Sequence, residues 1–413
     1  MNKKIITILS VIFIFAAIGA LLLFFRNAPE TVNDTGSGTF PAGGEIDSGA
    51  LSGPQDKNNN NDSESVSSRE EGTLVQLTEN AIAGAAVSTN TVRYIERATG
   101  HIYGIDFDGG NRLRISNTTL LKSFESYWSP AADKLAIRYF EDPVSESDTR
   151  LSIKTFLASI VNLAGSIGSF NGGTSTTTEL KGVFLPPTAE AIAVSPGEDR
   201  FFYLNSSDGI DGITNGITAD FENKKQKNIF ESGFGEFNVA WPNKNIITLL
   251  TKPSTLADGY LYFLNPTTKS FTRIIGGVKG LTALTSPKGD KIIYSQSANK
   301  SFKTKIFDVK QKTSEDFSFA ALPEKCAWSG KTSDIIYCAA PEARPSADYP
   351  DEWYQGEISF NDAVWRKNFL TGETELLAKQ FDADIINLIL SKDEDYLIFT
   401  DKNDGTLWSL KLK

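Results

Sequence analysis

Leu284-Thr285-Ser286-Pro287-Lys288-Gly289-Asp290-Lys291-Ile292-Ile293-Tyr294-Ser295 is a short apolar approach, a turn and a run of β-formers. Pro287 fixes φ and Gly289 tolerates positive φ, so the chain can reverse within a few residues. Ile292, Ile293 and Tyr294 stand next to one another instead of alternating with polar residues, which predicts a strand buried on both faces. The unit recurs. Trp128-Ser129-Pro130 leads to Leu135-Ala136-Ile137, and Val194-Ser195-Pro196 to Phe201-Phe202-Tyr203. Trp241-Pro242 precedes Ile246-Ile247, Trp328-Ser329 precedes Ile335-Ile336-Tyr337, and Leu390-Ser391 precedes Leu397-Ile398-Phe399. A weaker copy, Val87-Ser88 before Val92-Arg93-Tyr94, opens the series.

The residues before the turns fall at 87, 128, 194, 241, 285, 328 and 390, in steps of 41, 66, 47, 44, 43 and 62. A period in the forties with one hairpin per repeat fits a four-stranded propeller blade, the two long steps being blades with insertions. Seven repeats imply an all-β, seven-bladed β-propeller over residues 73–413. A β-sandwich would need seven in-phase turns by accident. The turn Ser286-Pro287-Lys288-Gly289-Asp290-Lys291 with its Ile-Ile-Tyr strand resembles the repeat of TolB-like, WD-repeat-like propellers, found also in the propeller halves of prolyl-peptidase-type enzymes. That resemblance implies a fold and no particular activity.

The final repeat holds only three strands, Ile385–Leu390, Tyr396–Thr400 and Thr406–Leu412. Leu74–Thr78, an alternating run at the start of the domain, is the expected fourth strand, and pairing it closes the ring and removes an edge. The second repeat is interrupted between Pro143 and Lys181: 151–163 suits a strand or a short amphipathic helix, and Gly/Ser/Thr-rich 165–178 reads as a loop. The sixth repeat carries an insertion, Pro341 to Val364.

Ahead of the propeller the chain changes character. Ile5 to Phe25 is free of charge for 21 residues, enough for a helix of about 31 Å, the thickness of a hydrocarbon layer. Lys3 and Lys4 precede it while Glu30 and Asp34 follow Arg26, so residues 1–4 are expected in the cytoplasm and the propeller on the extracytoplasmic side of a cell membrane. A cleaved signal peptide needs a shorter apolar region and a small-x-small site; Ala28-Pro29 is a poor one, and no Cys follows the run for a lipid anchor. Residues 26–72, rich in Gly, Pro, Ser, Asn and Asp, are expected to be a disordered tether. The expectation is a single-pass protein whose first partner is the bilayer itself.

The net charge of −10 and the lack of any basic block exclude a nucleic-acid footprint. With one histidine, His101, there is one possible base for a Ser or Cys nucleophile, and a turn-flanking surface role explains it as well. No hydrolase elbow, phosphate loop or zinc motif is present. The propeller lyases that cleave pectin fragments use metal-binding histidines, which this chain lacks. Asp133, Asp199, Asp290 and Asp395 recur at equivalent turn positions, which is turn chemistry. Asp401-Lys402-Asn403-Asp404-Gly405 and Asp208-Gly209-Ile210-Asp211-Gly212 are incomplete calcium loops, so no metal and no cofactor is expected.

The insertion holds the richest stretch, Asp348 to Trp365. Trp353 and Tyr354 beside Asp351, Glu352 and Glu357 suit recognition of a protein or a cell-envelope glycan, with flat rings to stack and polar groups to orient. Alternatively Trp353 and Tyr354 pin the insertion to its own blade. The acids could also form the pair of a glycan hydrolase or lyase, which depends on a separation sequence does not give. The functional expectation is a non-catalytic, membrane-tethered binding or scaffold propeller; the alternatives are that enzyme, or a purely structural component of an envelope complex.

Cys326 and Cys338 are the only cysteines. They flank the hairpin turn at Ser329–Asp334, and pairing Trp328 with Ile336 puts them opposite each other. Facing cysteines on antiparallel strands have α-carbons about 4.5–5.5 Å apart, within reach of a disulfide. An extracytoplasmic domain favours its oxidation.

Overall fold

The protein was described from a computed structural model, which covers residues 73–142, 152–170, 173–206, 212–379 and 382–412. Seven four-stranded antiparallel sheets follow one another along the chain, each a propeller blade. Blade 1 runs from Ile82–Val87 to Leu113–Arg114, blade 2 from Ser123–Trp128 to Gly173–Phe184, and blade 3 from Ala189–Val194 to Lys227–Ser232. Blades 4, 5 and 6 begin at Phe237–Asn243, Thr282–Thr285 and Cys326–Trp328. Blade 7 comprises Ile385–Leu390, Tyr396–Asp401, Leu407–Lys411 and, as its fourth strand, Leu74–Gln76. The first strands of neighbouring blades approach one another, so they line the centre.

The paired apolar residues of each second strand explain how the blades stack. In Ile292-Ile293 one side chain faces each neighbour: Ile292 packs with Leu261 of blade 4, and Ile293 with Ile336 of blade 6. Phe201 joins Ala136 of blade 2 whereas Phe202 joins Ile247 of blade 4. Ile398 packs with Tyr94 of blade 1, and Phe399 with Tyr337 of blade 6. Every one of these residues is under 7% exposed. Burying a side chain of this size contributes about 1.5–3 kcal/mol, and the contribution repeats at every blade junction.

The Ser-Pro turns lie on one face of the ring. In two of them, and in the equivalent turn at Ser391-Lys392, the serine hydroxyl accepts the amide five residues on, as Lys134, Lys291 and Tyr396 each donate to Ser129, Ser286 and Ser391 at 3.0–3.1 Å. The same turns stitch blade to blade through Lys134–Asp199 at 2.8 Å, Lys291–Asp334 at 3.0 Å and Ser329–Glu394 at 2.7 Å. Gly289 (φ 74°) sits where a Cβ would lie 2.3 Å from Ile246 Cδ1 of blade 4. A side chain there would adopt a left-handed backbone and displace the tip of Ile246, so glycine is favoured at this turn.

The closing strand lies where expected. Leu74, Val75 and Gln76 pair with Leu410, Ser409 and Trp408, the Leu77 amide donates to the Leu407 carbonyl at 2.8 Å, and the Thr78 hydroxyl accepts from the Leu407 amide at 2.9 Å. In blade 2 the interruption is strand: Ser152–Phe170 and Gly173–Phe184 pair with each other almost throughout. The loop expected over 165–178 is thereby corrected, and so is the helical option for 151–163. Thr174 and Thr176 are β-branched residues that suit extended backbone. Cys326 pairs with Cys338 and Trp328 with Ile336, and a disulfide joins the two cysteines at a Cα separation of 4.0 Å, a little shorter than expected.

Among the described residues no helix is long and apolar enough to cross a membrane. The anchor expected at Ile5–Phe25, the tether at 26–72 and the second incomplete calcium loop up to Asp211 lie outside the described residues.

Two outcomes follow. Deleting residues 1–72 leaves a cooperative unfolding transition, whereas deleting 1–79 removes the fourth strand and buried Leu77. The second truncation costs about 3 kcal/mol or more and lowers the melting temperature by roughly 5 °C or more; equal melting of the two would contradict the closure. The denatured, unreduced protein contains no reactive thiol, and reduction destabilises it by up to roughly 3 kcal/mol; two titratable thiols before reduction would disprove the bridge.

Candidate functional site

The face opposite the Ser-Pro turns carries the loops between second and third strands and the crossings between blades. Across it runs the sixth-repeat insertion, which is a strap, not a loop standing on its own blade. The Ala347 amide donates to the Lys300 carbonyl at 2.9 Å, and Lys300 pairs with Asp348 at 2.5 Å and Glu352 at 3.5 Å, all on blade 5. Asp351 reaches blade 4, where it accepts the Thr255 amide at 2.8 Å. Ser359 donates to Asn403 of blade 7 at 2.6 Å.

Trp353 anchors the strap. It lies in a one-turn helix, Asp351–Gln355, ended by Gly356 in the left-handed conformation (φ 77°). The ring is 2% exposed and packs with Phe302, Leu322, Tyr349 and Phe360, while Nε1 donates to Asp384 Oδ2 at 2.8 Å. Trp353 is therefore packed away from solvent, and the neighbours it is pinned to belong to blades 5 and 7. Tyr354 is 42% exposed and its hydroxyl meets the Glu324 carboxylate. Asp351 and Glu352 are committed to Thr255 and Lys300, and Glu357 is exposed beyond the helix.

Beneath the strap are three fully buried ionisable groups that the reading of motifs passed over, Lys325, Asp362 and Asp384. The signal was present: Glu324-Lys325 interrupts the apolar run Ala320 to Trp328. Lys325 comes from the turn Pro323–Lys325 that enters blade 6. Asp362 begins the third strand of that blade, and Asp384 leads into blade 7.

Next to the strap the central channel opens into a cavity of about 720 Å³. Its wall combines Arg97, Glu125, Tyr127, Asp401, Lys402 and Asn403. The inner strands of blades 7, 1 and 2 all bulge here, between Ile386 and Ile389, Ile82 and Ala85, and Ser123 and Glu125. Each bulge takes residues out of the ladder and turns them towards the channel. Asn387 (φ 53°) is exposed at one bulge. Gly84 (φ 132°) stands at the second, where a Cβ would lie 2.3 Å from Ser126 Oγ.

Glu125 pairs with Arg138 at 2.7 Å, and Arg138 lies 5.4 Å from the centre of the Phe124 ring. Burial, and then the Glu125 carboxylate, push the Tyr127 hydroxyl far up, so it stays neutral at any physiological pH. Ala85, Ser126, Tyr127 and Ile389 also line a second cavity, of about 960 Å³, that opens towards the Ser-Pro turns. They form the waist of the channel. Lys402 lies 5.1 Å from the Trp353 ring, so strap and mouth share a rim.

His101 sits outside this site, at the start of the third strand of blade 1, with Nε2 3.1 Å from the Thr119 hydroxyl. Among the described residues no group of three or more His, Cys, Asp or Glu side chains is arranged to hold a metal ion. The mouth offers charge of both signs, amides and aromatic edges, which is chemistry for holding a polar ligand.

The two strap aromatics differ in what they do. Trp353→Ala costs about 3–5 kcal/mol by opening a cavity and stripping Asp384 of a donor, whereas Tyr354→Ala costs about 1 kcal/mol or less. Thermal unfolding of the two variants measures this; a Trp353→Ala protein as stable as its parent would refute the anchoring role.

No family model matches this chain, and no curated protein does. Solved structures do, at the level of fold. The oligogalacturonate lyase of Vibrio parahaemolyticus is similar with a TM-score of 0.53 and 8% identity, over 83% of this chain and 99% of that one. The β-propeller domain of the Trilobed protease from Pyrococcus furiosus, described as having an open velcro topology, has a TM-score of 0.50 and 12% identity, over 81% and 97%. TolB from Acinetobacter baumannii has a TM-score of 0.40 and 13% identity, over 79% of this chain; the chain spans 64% of TolB. At these identities the likeness shows the fold alone. The seven-bladed β-propeller read from the repeated turns is the fold this chain adopts.

Proposed function

We propose that this protein is a membrane-tethered, extracytoplasmic propeller that binds a protein or cell-envelope glycan at the strap-side mouth of its channel, as a binding or scaffold module and not as a catalyst. The observation that carries the reading is the cavity of about 720 Å³ whose wall brings together Arg97, Lys402, Glu125, Asp401, Tyr127 and Asn403. A volume in that range suits a ligand or the tip of a partner. The chain enters the propeller on the other face, where the Thr73 carbonyl accepts from Lys411, next to the turn at Ser391.

The hydrolase or lyase alternative rests on Asp351, Glu352 and Glu357. Asp351 and Glu352 hold the strap to blades 4 and 5, which favours the binding reading over it. A purely structural role would leave the mouth without a ligand.

Full-length protein in detergent, screened against envelope proteins and glycans, gives a ligand whose affinity falls about tenfold or more, some 1.4 kcal/mol, in an Arg97→Ala, Lys402→Ala double variant. The melting temperature stays within about 2 °C, because Arg97 is exposed and Lys402 is only half-buried. A ligand indifferent to both substitutions would place binding elsewhere, and turnover of a glycan would replace the reading with the enzymatic one.

A further inference from the structure

The strap is fastened by charges with no access to water. Lys325, Asp362 and Asp384 are each 0% exposed. The Lys325 ammonium contacts Asp362 Oδ2 at 2.7 Å and Asp384 Oδ1, and donates to the Ile385 carbonyl at 2.8 Å. Asp362 Oδ2 also accepts the Ile385 amide at 2.7 Å. Asp384 Oδ2 accepts from Trp353, whose ring lies 5.4 Å from the ammonium, with the Phe360 ring at 5.1 Å. The strap thus roofs the cluster with two aromatic faces, the favourable side of a ring for a cation.

The charges do not balance. Two carboxylates share one ammonium, and Asp362 Oδ1 is buried without a hydrogen-bond partner. The charged groups facing Asp362 are Lys325, from the turn entering blade 6, and Asp384, from the segment entering blade 7. Asp401 stands one step further off, accepting from the Asp384 amide at 3.1 Å, and Lys402 lies on Trp353 at 5.1 Å. On the strap, Asp348 and Glu352 are both taken up by Lys300. The strap's one cation, Arg344, donates to the Phe302 carbonyl at 2.7 Å and lies 5.1 Å from the Phe302 ring, so it is held at blade 5 and does not pair with the cluster.

We propose that residues 342–361 are a latch at the rim of the channel mouth, closed when this sealed cluster holds an extra proton and loosened when it gives that proton up. Opening lets water reach Asp362 Oδ1, the one oxygen of the cluster that protein leaves unsatisfied. Closing with Asp362 ionised buries an uncompensated charge, which is costly. Burial is the largest influence on Asp362 and raises it from 3.8 to about 6, against the pull of Lys325. The closed form therefore holds the proton more tightly than an open, hydrated form would. Its advantage is complete below about pH 4, declines as pH climbs towards about 6, and is constant above that. An acid moved that far alters an opening constant by at most roughly 100-fold. The latch does not depend on what, if anything, the mouth binds.

Hydrogen exchange on the full-length protein tests it. The reporter amides are Ala347, Glu352, Tyr354 and Asp362, each hydrogen-bonded where the strap is folded or docked. Their protection factors, which already allow for the intrinsic effect of pH, fall at least about tenfold between pH 4.5 and 7.5. Those of Phe202 and Tyr203 in blade 3 stay constant. In Asp362→Asn the strap amides lose this dependence. Pairs of wild-type protection factors that agree at the two pH values overturn the proposal without any variant. So does a pH response that survives in Asp362→Asn, since another group would then carry it.

Discussion

A propeller is a ring, and the contact between its two ends is the constraint on which every other feature depends. Here the ends meet when Leu74–Gln76 adds to the outer edge of Leu407–Lys411. The bond from the Leu407 amide to the Thr78 hydroxyl joins residues 329 apart in sequence. Closing so long a loop is entropically unfavourable, though the penalty grows only logarithmically with length. It is offset because closure also completes the last blade junction, where Leu77, Ile82 and Tyr94 pack with Ile398 and Leu407. Without that strand, blade 7 would present an open edge and blade 1 an unpacked face. The channel would lose part of its wall, since its mouth is formed by these two blades and blade 2.

The faces of the ring are built on different chemistry. On the turn face, short Ser-Pro reversals satisfy their own backbone and reach the next blade through paired charges or serine hydroxyls, so little is left free to recognise anything. On the loop face the connections differ in length and sequence, and there the bulged inner strands, the mixed charges of the mouth and the strap come together. Recognition chemistry in repeat folds concentrates where the repeat is broken. The strap is such a break, and it lies across blades 4 to 7 instead of projecting into solvent.

Much of the fold was legible because a strand buried on both faces has an unmistakable pattern. Ile292-Ile293, Phe201-Phe202 and Leu397-Ile398-Phe399 placed three of the seven sheets directly, and the turn spacing placed the others. Hairpin register followed from turn length, which is why Cys326 could be set opposite Cys338. The blade 2 hairpin was misread because Gly, Ser and Thr together suggest a loop. The better signal was Asn171-Gly172, the dipeptide of a two-residue hairpin. The site was far less legible. Sequence left Trp353 open between a ligand contact beside acids and a pin within its own blade; the ring is buried, it packs against blades 5 and 7, and Asp351 and Glu352 are spent on Thr255 and Lys300. Lys325, Asp362 and Asp384 come from three separate segments, and no local pattern announces that they meet.

A buried lysine between two aspartates is a poor way to gain stability, since well-packed apolar side chains would cost less desolvation. What it supplies is direction. Asp384 orients the Trp353 indole, Lys325 orients Asp362, and Asp362 fixes the Ile385 amide at the start of blade 7, so strap, blade 6 and blade 7 share one register. On the turn face, the Lys134–Asp199 and Lys291–Asp334 pairs are partly solvated, and water screens any imbalance they have. The cluster under the strap has no such screening, and it carries one acid more than its lysine can neutralise. A joint of that kind holds firmly in geometry while staying adjustable in strength, and it is placed where the strap meets the rim of the channel.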